Sequence, residues 1–418
     1  MTDTADKGDT GAAPVTGDEV AVGNGIDSRR AWLVVIAAFF SSFISLGIAY
    51  SFGAFFSEMA ADFDTTKGAT AVIFGITTFA FFWLSLITGR AADVWGPRPV
   101  LLVGAAALLI GLVATSRVDS LTVGYVTYGA GVGIAAACGY IPMVAAVGGW
   151  FIRSRATAVG LAVAGIGAGT LVMSPVSATL IERYGWRDTF VILGVGGSAG
   201  MVICSFLAAR PPNLQGPQPA RFGEAFRSPI FRRLHLSGLC SGLALFVPFV
   251  FVGQYAKEQG AESVAAAVLV GVLGGASVLA RIGFGGAVRR FGSVRLYRSC
   301  FVMLAAGFPI WLVAGESYGL LVVFVIVLGV GYGGFVALST IVLAERFGVV
   351  GLGSVMGLFY TSQGLGGLIG PPTAGWLIDE TGGYATAIVI CCGLVLLARA
   401  LLIGLPVTAD GGMQPEPS

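Results

Sequence analysis

The chain has 418 residues, of which 56% are hydrophobic and only 11% are charged. Soluble domains carry about 25% charged residues, so this composition excludes a water-soluble fold and indicates a membrane protein. The net charge of +2 is too small for the basic surface that nucleic-acid binding requires, and no nucleic-acid partner is expected.

The residues before the first apolar run are polar and rich in Gly, Asp and Thr, without the apolar core of a signal peptide. Residues 1–30 are therefore predicted to form a disordered cytoplasmic tail. The six cysteines lie inside apolar runs without metal-ligand spacing, so they are interpreted as packing residues, and neither a metal nor a cofactor is expected.

Twelve apolar runs follow, each close to the roughly 20 residues that a helix needs to cross the hydrocarbon core. In the first half they lie near 31–57, 69–88, 99–116, 120–148, 156–181 and 188–208. In the second half they lie near 234–256, 264–285, 297–314, 319–343, 352–378 and 384–405. The sequence thus predicts an all-α membrane protein with 12 transmembrane helices, divided into a bundle at 31–209, a linker at 210–230, a bundle at 231–405 and a tail at 406–418.

The Lys and Arg residues are distributed unevenly between the two sides of such a bundle. If the runs alternate in direction, 18 of the 24 cations fall on the side of the N-terminus and 5 on the other side. Because cations are enriched on the cytoplasmic side, both termini are predicted to be cytoplasmic, in a cell or inner membrane. The remaining cation, Arg281, lies within the eighth run.

A short pattern after the second run is repeated after the eighth run. The first copy reads GRAADVWGPR, and the second keeps the glycine spacing in GGAVRRFG, which predicts an internal duplication. This pattern resembles the hallmark loop of the major facilitator superfamily, and the resemblance implies alternating access between two six-helix halves. The residues to which we assign conformational roles are Gly89, Asp93, Gly96, Arg98, Arg153, Arg155, Gly285, Arg289 and Gly292.

Three further segments resemble the monocarboxylate transporter family, in the expected order. They are GGWFIRSRATAVGLAVAGIGAG after the fourth run, FVPFVFVGQYAKEQG in the seventh and QGLGGLIGPPTAGWLIDETGGYATA in the eleventh. Helix packing accounts for the small residues, but not for Pro371 and Pro372 followed by Trp376 and Asp379. The resemblance implies a small carboxylate substrate of the lactate or pyruvate kind, and it leaves proton coupling open.

Arg281 is the residue most suited to hold such a substrate. A charged side chain within a membrane span is costly and usually functional, and Arg281 lies where the family carries its substrate-binding Arg. A guanidinium stays charged, and its planar fork of donors matches a carboxylate. The alternative is an Arg that extends to the membrane surface, since Arg289 is only two turns away. A single interior cation favours a monoanion over a dianion.

Polar and aromatic residues on other runs are candidates to complete the site. A Tyr can hydrogen-bond a carboxylate or a 2-hydroxyl while its ring excludes water. Compared with the animal carriers, the acid one turn before Arg281 is replaced by Ser277, and the Lys late in the first run is replaced by Tyr50, which puts their proton relay in doubt. The substrate-binding residues predicted beside Arg281 are Tyr50, Tyr140, Phe249, Tyr332, Tyr360 and Gln363.

Other functions remain open at this stage. One is an organic-anion exchanger of the oxalate/formate type, although the Lys expected in its eleventh run is absent here; another is a superfamily exporter of a different small molecule. GGSAG, at 196–200, matches a serine-hydrolase pattern, but it lies inside an apolar run and the only histidine is His235. We therefore predict a transporter and not an enzyme, surrounded by membrane lipid and working as a monomer.

Overall fold

The computed structural model describes residues 26–212, 222–348 and 352–404. Throughout these ranges the chain consists of helices joined by short connections, as predicted for an all-α protein. Most of the predicted N-terminal tail, the C-terminal tail beyond 404 and part of the predicted linker lie outside the described residues. The predicted domain boundaries therefore stay predictions.

The helices of the first half begin at Arg29. They are α1 (Arg29–Tyr50), α2 (Phe52–Asp62), α3 (Lys67–Trp95), α4 (Pro97–Thr115), α5 (Leu121–Gly124), α6 (Gly131–Gly139), α7 (Ile141–Trp150) and α8 (Arg155–Leu207). A π-helical segment, Tyr125–Ala130, joins α5 to α6. The helices of the second half are α9 (Phe222–Arg227), α10 (Pro229–Leu245), α11 (Val247–Glu258), α12 (Ser263–Phe291), α13 (Ser293–Ala314), α14 (Tyr318–Phe347), α15 (Leu352–Thr381) and α16 (Ala385–Leu401).

Nine helical stretches in the described ranges are long and apolar enough to cross a membrane. One of them, α8, has 53 residues and contains both the fifth and sixth predicted runs, because its backbone leaves the helical region at Gly185 (φ 78°, ψ 166°). The two last runs correspond to α15 and to the shorter apolar helix α16. Every predicted run therefore matches a helical segment, and the chain is a multi-pass membrane protein.

The repeated motif forms less of a loop than the sequence suggested. Helix α3 continues through Gly89 and Asp93 to Trp95, and only Gly96, with φ 90°, separates it from α4. In the second copy, α12 likewise continues to Phe291, and Gly292, with φ 78°, follows it. No proline precedes these glycines, so each helix continues up to its glycine. The glycine then ends the helix, because it takes a positive φ without strain. The two copies thus have the same local structure, as a duplication predicts.

Close helix packing within each half follows the same duplicated plan. In the first half, Gly165 of α8 lies against the backbone of Phe39 in α1. In the second half, Gly370 of α15 lies against the backbone of Leu243 in α10. An added Cβ at either glycine would overlap a carbonyl oxygen of the neighbouring helix, so these helices approach closely because the glycines have no side chain.

The two halves meet along two further helix pairs, α8 with α12 and α3 with α15. A Cβ on Gly167 of α8 would lie 2.9 Å from the Oγ of Ser277 in α12. A Cβ on Gly75 of α3 would lie 2.9 Å from the carbonyl oxygen of Leu368 in α15. The halves therefore enclose a central region between these two contacts.

The glycine contacts lead to a stability prediction. Gly165→Ala and Gly370→Ala should each lower the unfolding midpoint of the purified protein in detergent, because overpacking costs about 1–3 kcal/mol. The matched control is Gly160→Ala on α8, where an added Cβ would meet no other atom within 4 Å. Because alanine is the better helix former by about 1 kcal/mol, the control should be neutral or stabilising. Equal midpoints in all three variants would contradict the proposed packing.

Candidate functional site

Arg281 lies inside the helical bundle and is only 8% exposed. Its Nη1 donates a hydrogen bond to the carbonyl oxygen of Val163, at 2.8 Å, so the guanidinium of α12 contacts α8 of the other half. Its Nε and Nη2 are buried and have no hydrogen-bond partner among the described residues. A side chain extending to the membrane surface would expose its guanidinium, and this one does not.

A row of aromatic rings begins beside this guanidinium. The Cζ of Arg281 lies 5.5 Å from the centroid of the Tyr332 ring. Phe249 packs 5.6 Å from Tyr332 and 4.8 Å from Tyr50, measured between ring centroids. These residues come from α14, α11 and α1, so the row combines both halves of the chain.

Three tyrosines lie close enough to Arg281 to interact with it electrostatically, and they are Tyr50, Tyr140 and Tyr360. Tyr360 stacks on Phe82 at 5.7 Å, and its hydroxyl shares a hydrogen bond of 3.0 Å with Ser339. Tyr140 lies at the break between α6 and α7 (φ −112°, ψ −76°). Together with Tyr332, the structure places four tyrosines around one cation.

Gln363 takes a different position from the other predicted residues. Its Nε2 donates to the carbonyl oxygen of Gly238 at 2.6 Å and to the Oγ of Ser241 at 3.4 Å. These partners belong to α10, so the amide is held in the packing between α10 and α15. The structure thus brings Tyr50, Tyr140, Phe249, Tyr332 and Tyr360 towards Arg281 and holds Gln363 against α10.

Ser277 lies one helical turn before Arg281 and is fully buried. Its Oγ donates to the carbonyl oxygen of Gly274 at 2.7 Å, within the same helix. Arg281 forms no ion pair with a carboxylate of the described residues. Among the described residues, the groups shown beside this positive charge are therefore the Val163 carbonyl, which accepts its hydrogen bond, and the Tyr332 ring.

The two halves are joined at one end of the bundle by charged side chains. The Nζ of Lys67 lies 2.7 Å from the Oε1 of Glu258, to which the Tyr384 hydroxyl also donates at 2.8 Å. The backbone N–H of Gly68 donates to the Oδ2 of Asp379 at 3.0 Å. We call this end, where Lys67, Glu258, Asp379 and Tyr384 meet, the Lys67 end.

Uncharged groups complete the closure of the Lys67 end. The Oγ of Ser57 donates to the Oε1 of Gln254 at 2.5 Å, and Nε2 of the same amide donates to the carbonyl oxygen of Gly53 at 2.8 Å. Both contacts connect α2 with α11. A cavity of about 560 Å³ borders these contacts. Its lining includes Ser57, Lys67, Gln254, Lys257, Glu258 and Asp379. This cavity is a vestibule of the Lys67 end and does not include Arg281.

The residues predicted to have conformational roles lie at the opposite end, which we call the Arg289 end. An added Cβ on Gly89, Gly96, Gly285 or Gly292 would meet no other atom within 4 Å. The guanidinium of Arg98 lies 4.9 Å from the Phe206 ring, and the Asp93 carbonyl accepts a hydrogen bond from Arg210. Arg289 is exposed. Arg155 lies close to Gly148 of α7, since one of its guanidinium nitrogens is 3.3 Å from the position that an added Cβ would take there. The motif glycines thus face open space, unlike the glycines of the helix contacts.

Comparisons with known proteins agree with this geometry. The model of the Major Facilitator Superfamily matches residues 38–316 and 276–417. Monocarboxylate transporter 4 of Rattus norvegicus is 31% identical over 386 residues, which cover 88% of this chain and 82% of that protein. Monocarboxylate transporter 11 of Homo sapiens is 31% identical, with 91% of this chain and 84% of that protein covered. The chain belongs to the monocarboxylate transporter family of the major facilitator superfamily.

Solved structures support the fold of this monocarboxylate transporter family member. A nucleoside transporter, NupG, superposes with a TM-score of 0.72 at 14% identity, covering 90% of this chain and 99% of that chain. A bacterial homologue of the human lysosomal transporter Spinster, in an inward-facing and occupied conformation, gives 0.70 at 16% identity, with 88% and 95% covered. The predicted major facilitator fold and the prediction of a transporter rather than an enzyme are confirmed.

The hydrolase interpretation fails on the position of its serine. Ser198 lies within α8, and its Oγ donates to the carbonyl oxygen of Ala105 at 2.6 Å. His235 lies on α10, where its ring stacks on Phe231 at 5.9 Å. A nucleophile needs an exposed hydroxyl and an adjacent base, and Ser198 is buried with its hydroxyl bound to the backbone. Among the described residues, no group of three or more His, Cys, Asp or Glu side chains could hold a metal ion.

Asp27 is a structural residue that the sequence did not reveal. Its carboxylate accepts hydrogen bonds from the backbone N–H groups of Ile152 at 3.3 Å and Arg153 at 3.2 Å, and from the Ser154 hydroxyl at 2.9 Å. Its own N–H donates to the Trp150 carbonyl oxygen at 3.0 Å. Desolvation alone would raise the pKa of Asp27, but these hydrogen bonds outweigh it and lower the pKa below the ordinary value. Asp27 thus joins the start of α1 to the basic segment before α8.

This contact predicts a pH-dependent stabilisation. Because the pKa of Asp27 is lowered in the folded protein, the contact is complete above the ordinary Asp pKa of about 3.9 and is lost as the pH falls through the lowered value. Asp27→Asn should lower the unfolding midpoint at neutral pH and flatten its dependence on acid. The control Asp119→Asn changes an exposed carboxylate of a distant connection. Equal acid profiles for Asp27→Asn and wild type would contradict this role.

Proposed function

We propose that this protein is a secondary transporter that moves small monocarboxylates of the lactate or pyruvate kind by alternating access, with Arg281 as the anion anchor. The observation that carries the proposal is the guanidinium of Arg281, which is buried between the two halves and has two nitrogen atoms without a partner in the described part of the chain. A buried polar group without a partner is costly, so a ligand that supplies acceptors binds there favourably.

The geometry of the guanidinium matches one carboxylate. In arginine, the N–H bonds of Nε and Nη2 point in the same direction and form one edge of the planar fork. In Arg281 these two nitrogens are the unpartnered ones, whereas Nη1 is bound to Val163. A carboxylate can therefore accept two parallel hydrogen bonds from the free edge without displacing Val163.

The surrounding tyrosines suit a short acid with a 2-oxo or 2-hydroxy group. Their hydroxyls can donate to such an oxygen or accept from it, while the rings of Tyr332, Phe249 and Tyr50 exclude water from the anion. One guanidinium neutralises one negative charge. The described residues around Arg281 offer no second cation to a further carboxylate, since Tyr360 and Ser339 carry no charge, so a dianion exchanger of the oxalate/formate type is less favoured.

Alternating access is supported by the contrast between the two ends of the bundle. The Lys67 end is closed by hydrogen bonds and an ion pair between the halves, whereas the motif glycines of the Arg289 end face open space. The enrichment of Lys and Arg at the Arg289 end favours a cytoplasmic position for this end and for both termini, in the cell membrane. Arg281 and its tyrosines come from both halves of one chain, so a monomer surrounded by lipid is sufficient for transport.

The first test removes the anion anchor. Arg281→Gln should reduce uptake of radiolabelled lactate and pyruvate into proteoliposomes by roughly 30-fold or more, because losing one partner of a buried charged pair costs at least about 2 kcal/mol. Arg295→Gln is the matched control, since it removes an exposed arginine near the Arg289 end. Equal uptake by wild type and Arg281→Gln would contradict the proposed role of Arg281 as the anion anchor.

A second test concerns the closed Lys67 end. In a background with the native cysteines replaced by serine, Ser57→Cys with Gln254→Cys should be joined by a short bifunctional thiol reagent, because their side chains are in contact. Alternating access requires these residues to separate, so the cross-linked carrier should lose transport. A cleavable reagent should restore transport on reduction, and each single variant should be insensitive. Undiminished transport by the fully cross-linked protein would contradict alternating access.

A further inference from the structure

We infer that the Arg289 end carries a binding site for the headgroup of an anionic phospholipid, formed by Arg233, Arg298 and Arg399. These residues belong to α10, α13 and α16 of the second half, and we call them the α16 cluster. The inference concerns the membrane around the protein, and it does not depend on which anion the protein transports.

The three arginine side chains come together around the C-terminus of α16. The Nη2 of Arg298 donates to the carbonyl oxygen of Leu402 at 2.6 Å. The Nη1 of Arg233 lies 3.8 Å from the position that a Cβ on Gly404 would take. Leu402 and Gly404 are two residues apart, so their Cα atoms are separated by at most about 7.6 Å. Arg399 lies in the last turn of α16, close enough to Arg298 for the two positive charges to repel each other.

The cluster contains more positive charge than the end of the helix offsets. The C-terminus of a helix is equivalent to about −0.5 elementary charge, and the guanidinium of Arg298 already binds one of its carbonyls. Arg233 and Arg399 form no ion pair within the described ranges. Glu345, a carboxylate at this end of α14, binds the hydroxyl of Ser293 instead. The cluster therefore favours the binding of an added anion.

The cluster lies at the edge of the surface that contacts the acyl chains. One helical turn from each arginine, towards the middle of the membrane, an exposed apolar residue lies on the same helix; these residues are Leu236, Val302 and Leu396. Residues three or four positions apart share a face of a helix, so the arginines lie on the outer faces of α10, α13 and α16. A phospholipid can therefore pack its acyl chains against the apolar residues while its phosphate reaches the guanidinium groups.

The charge of the cluster selects a headgroup with a net negative charge. A guanidinium binds two phosphate oxygens at once through its planar fork of donors. Phosphatidylcholine supplies a phosphate together with a quaternary ammonium ion, which the three arginines repel. Phosphatidylglycerol supplies the phosphate without a cation, so its binding reduces the repulsion between Arg298 and Arg399. Basic pockets between membrane helices on the cytoplasmic side bind anionic headgroups in the same way.

Binding of the lipid should stabilise the folded protein. The site exists only while α10, α13 and α16 are packed together, as they are where the Oγ of Ser237 in α10 donates to the carbonyl oxygen of Ala398 in α16 at 2.8 Å. A ligand that binds the folded state and not the unfolded state raises the unfolding midpoint by mass action. The unfolding midpoint therefore reports occupancy of the α16 cluster.

The test titrates the full chain, purified in a nonionic detergent, with phosphatidylglycerol or phosphatidylcholine. Phosphatidylglycerol should raise the unfolding midpoint of the wild type and should be retained in preference to phosphatidylcholine in native mass spectrometry. In the double variant Arg233→Gln with Arg399→Gln, the apparent affinity for phosphatidylglycerol should fall by roughly 25-fold, because each basic residue near a membrane surface contributes about 5-fold, or about 1 kcal/mol. Arg298 is left unchanged, so its hydrogen bond to Leu402 remains.

The matched control is Arg29→Gln with Arg30→Gln, which removes two exposed arginines from the start of α1 and should keep the wild-type preference. Equal losses of affinity in the two double variants would indicate a general attraction of basic residues to anionic lipid and would overturn a defined site. Equal retention of the two lipids by the wild type would overturn it too. Inorganic phosphate without lipid should leave the midpoint nearly unchanged, and a shift as large as that caused by phosphatidylglycerol would identify a soluble anion as the occupant instead. If the first double variant does not fold, these comparisons on the wild type decide the question.

Discussion

The hydrogen bond from Arg281 to the carbonyl oxygen of Val163 is the contact on which the central site depends. It orients the guanidinium so that Nη1 is occupied and the opposite edge stays free. Helices α8 and α12 approach closely one turn from Val163, at Gly167, where an added Cβ would overlap the carbonyl oxygen of Gly274 in α12. The packing of α8 against α12 therefore affects the binding site, since a larger residue at Gly167 would move the carbonyl oxygen of Val163 away from the guanidinium.

Much of the fold could be predicted because its signals lie within single stretches of sequence. Apolar length identified the spans, and a lone cation in such a span identified Arg281 as an interior residue. The break at Gly185 within α8 also agrees with two predicted runs separated by a polar stretch. Such features need no knowledge of which helices are neighbours.

Other features could not be predicted because their partners are distant in sequence or belong to the backbone. Asp27 binds N–H groups 125 residues away or more, and any residue type supplies such groups. The acceptor of the Arg281 hydrogen bond is the backbone carbonyl of Val163, 118 residues away. Every residue type has such a carbonyl, so the sequence does not identify this partner. Gln363 was predicted to bind substrate beside Arg281, three residues after Tyr360 on the same helix, but its amide donates to a carbonyl of α10. Spacing gives the face of a helix, whereas the partner on that face depends on the tertiary arrangement.

The duplication explains why the positive charge of the site comes from the second half. The motif copies place Gly285 in the second half where the first half has Gly89, so the position of Arg281 corresponds to Ser85 of α3. Ser85 is buried, and its hydroxyl donates to the carbonyl oxygen of Phe81 within its own helix at 2.6 Å. A second arginine at Ser85 would bring two like charges towards one central region and would favour a dianion. Among the described residues at this pair of positions, the second half contributes a charge and the first half does not, so the divergence of one position from the shared frame gives the interior a single positive charge.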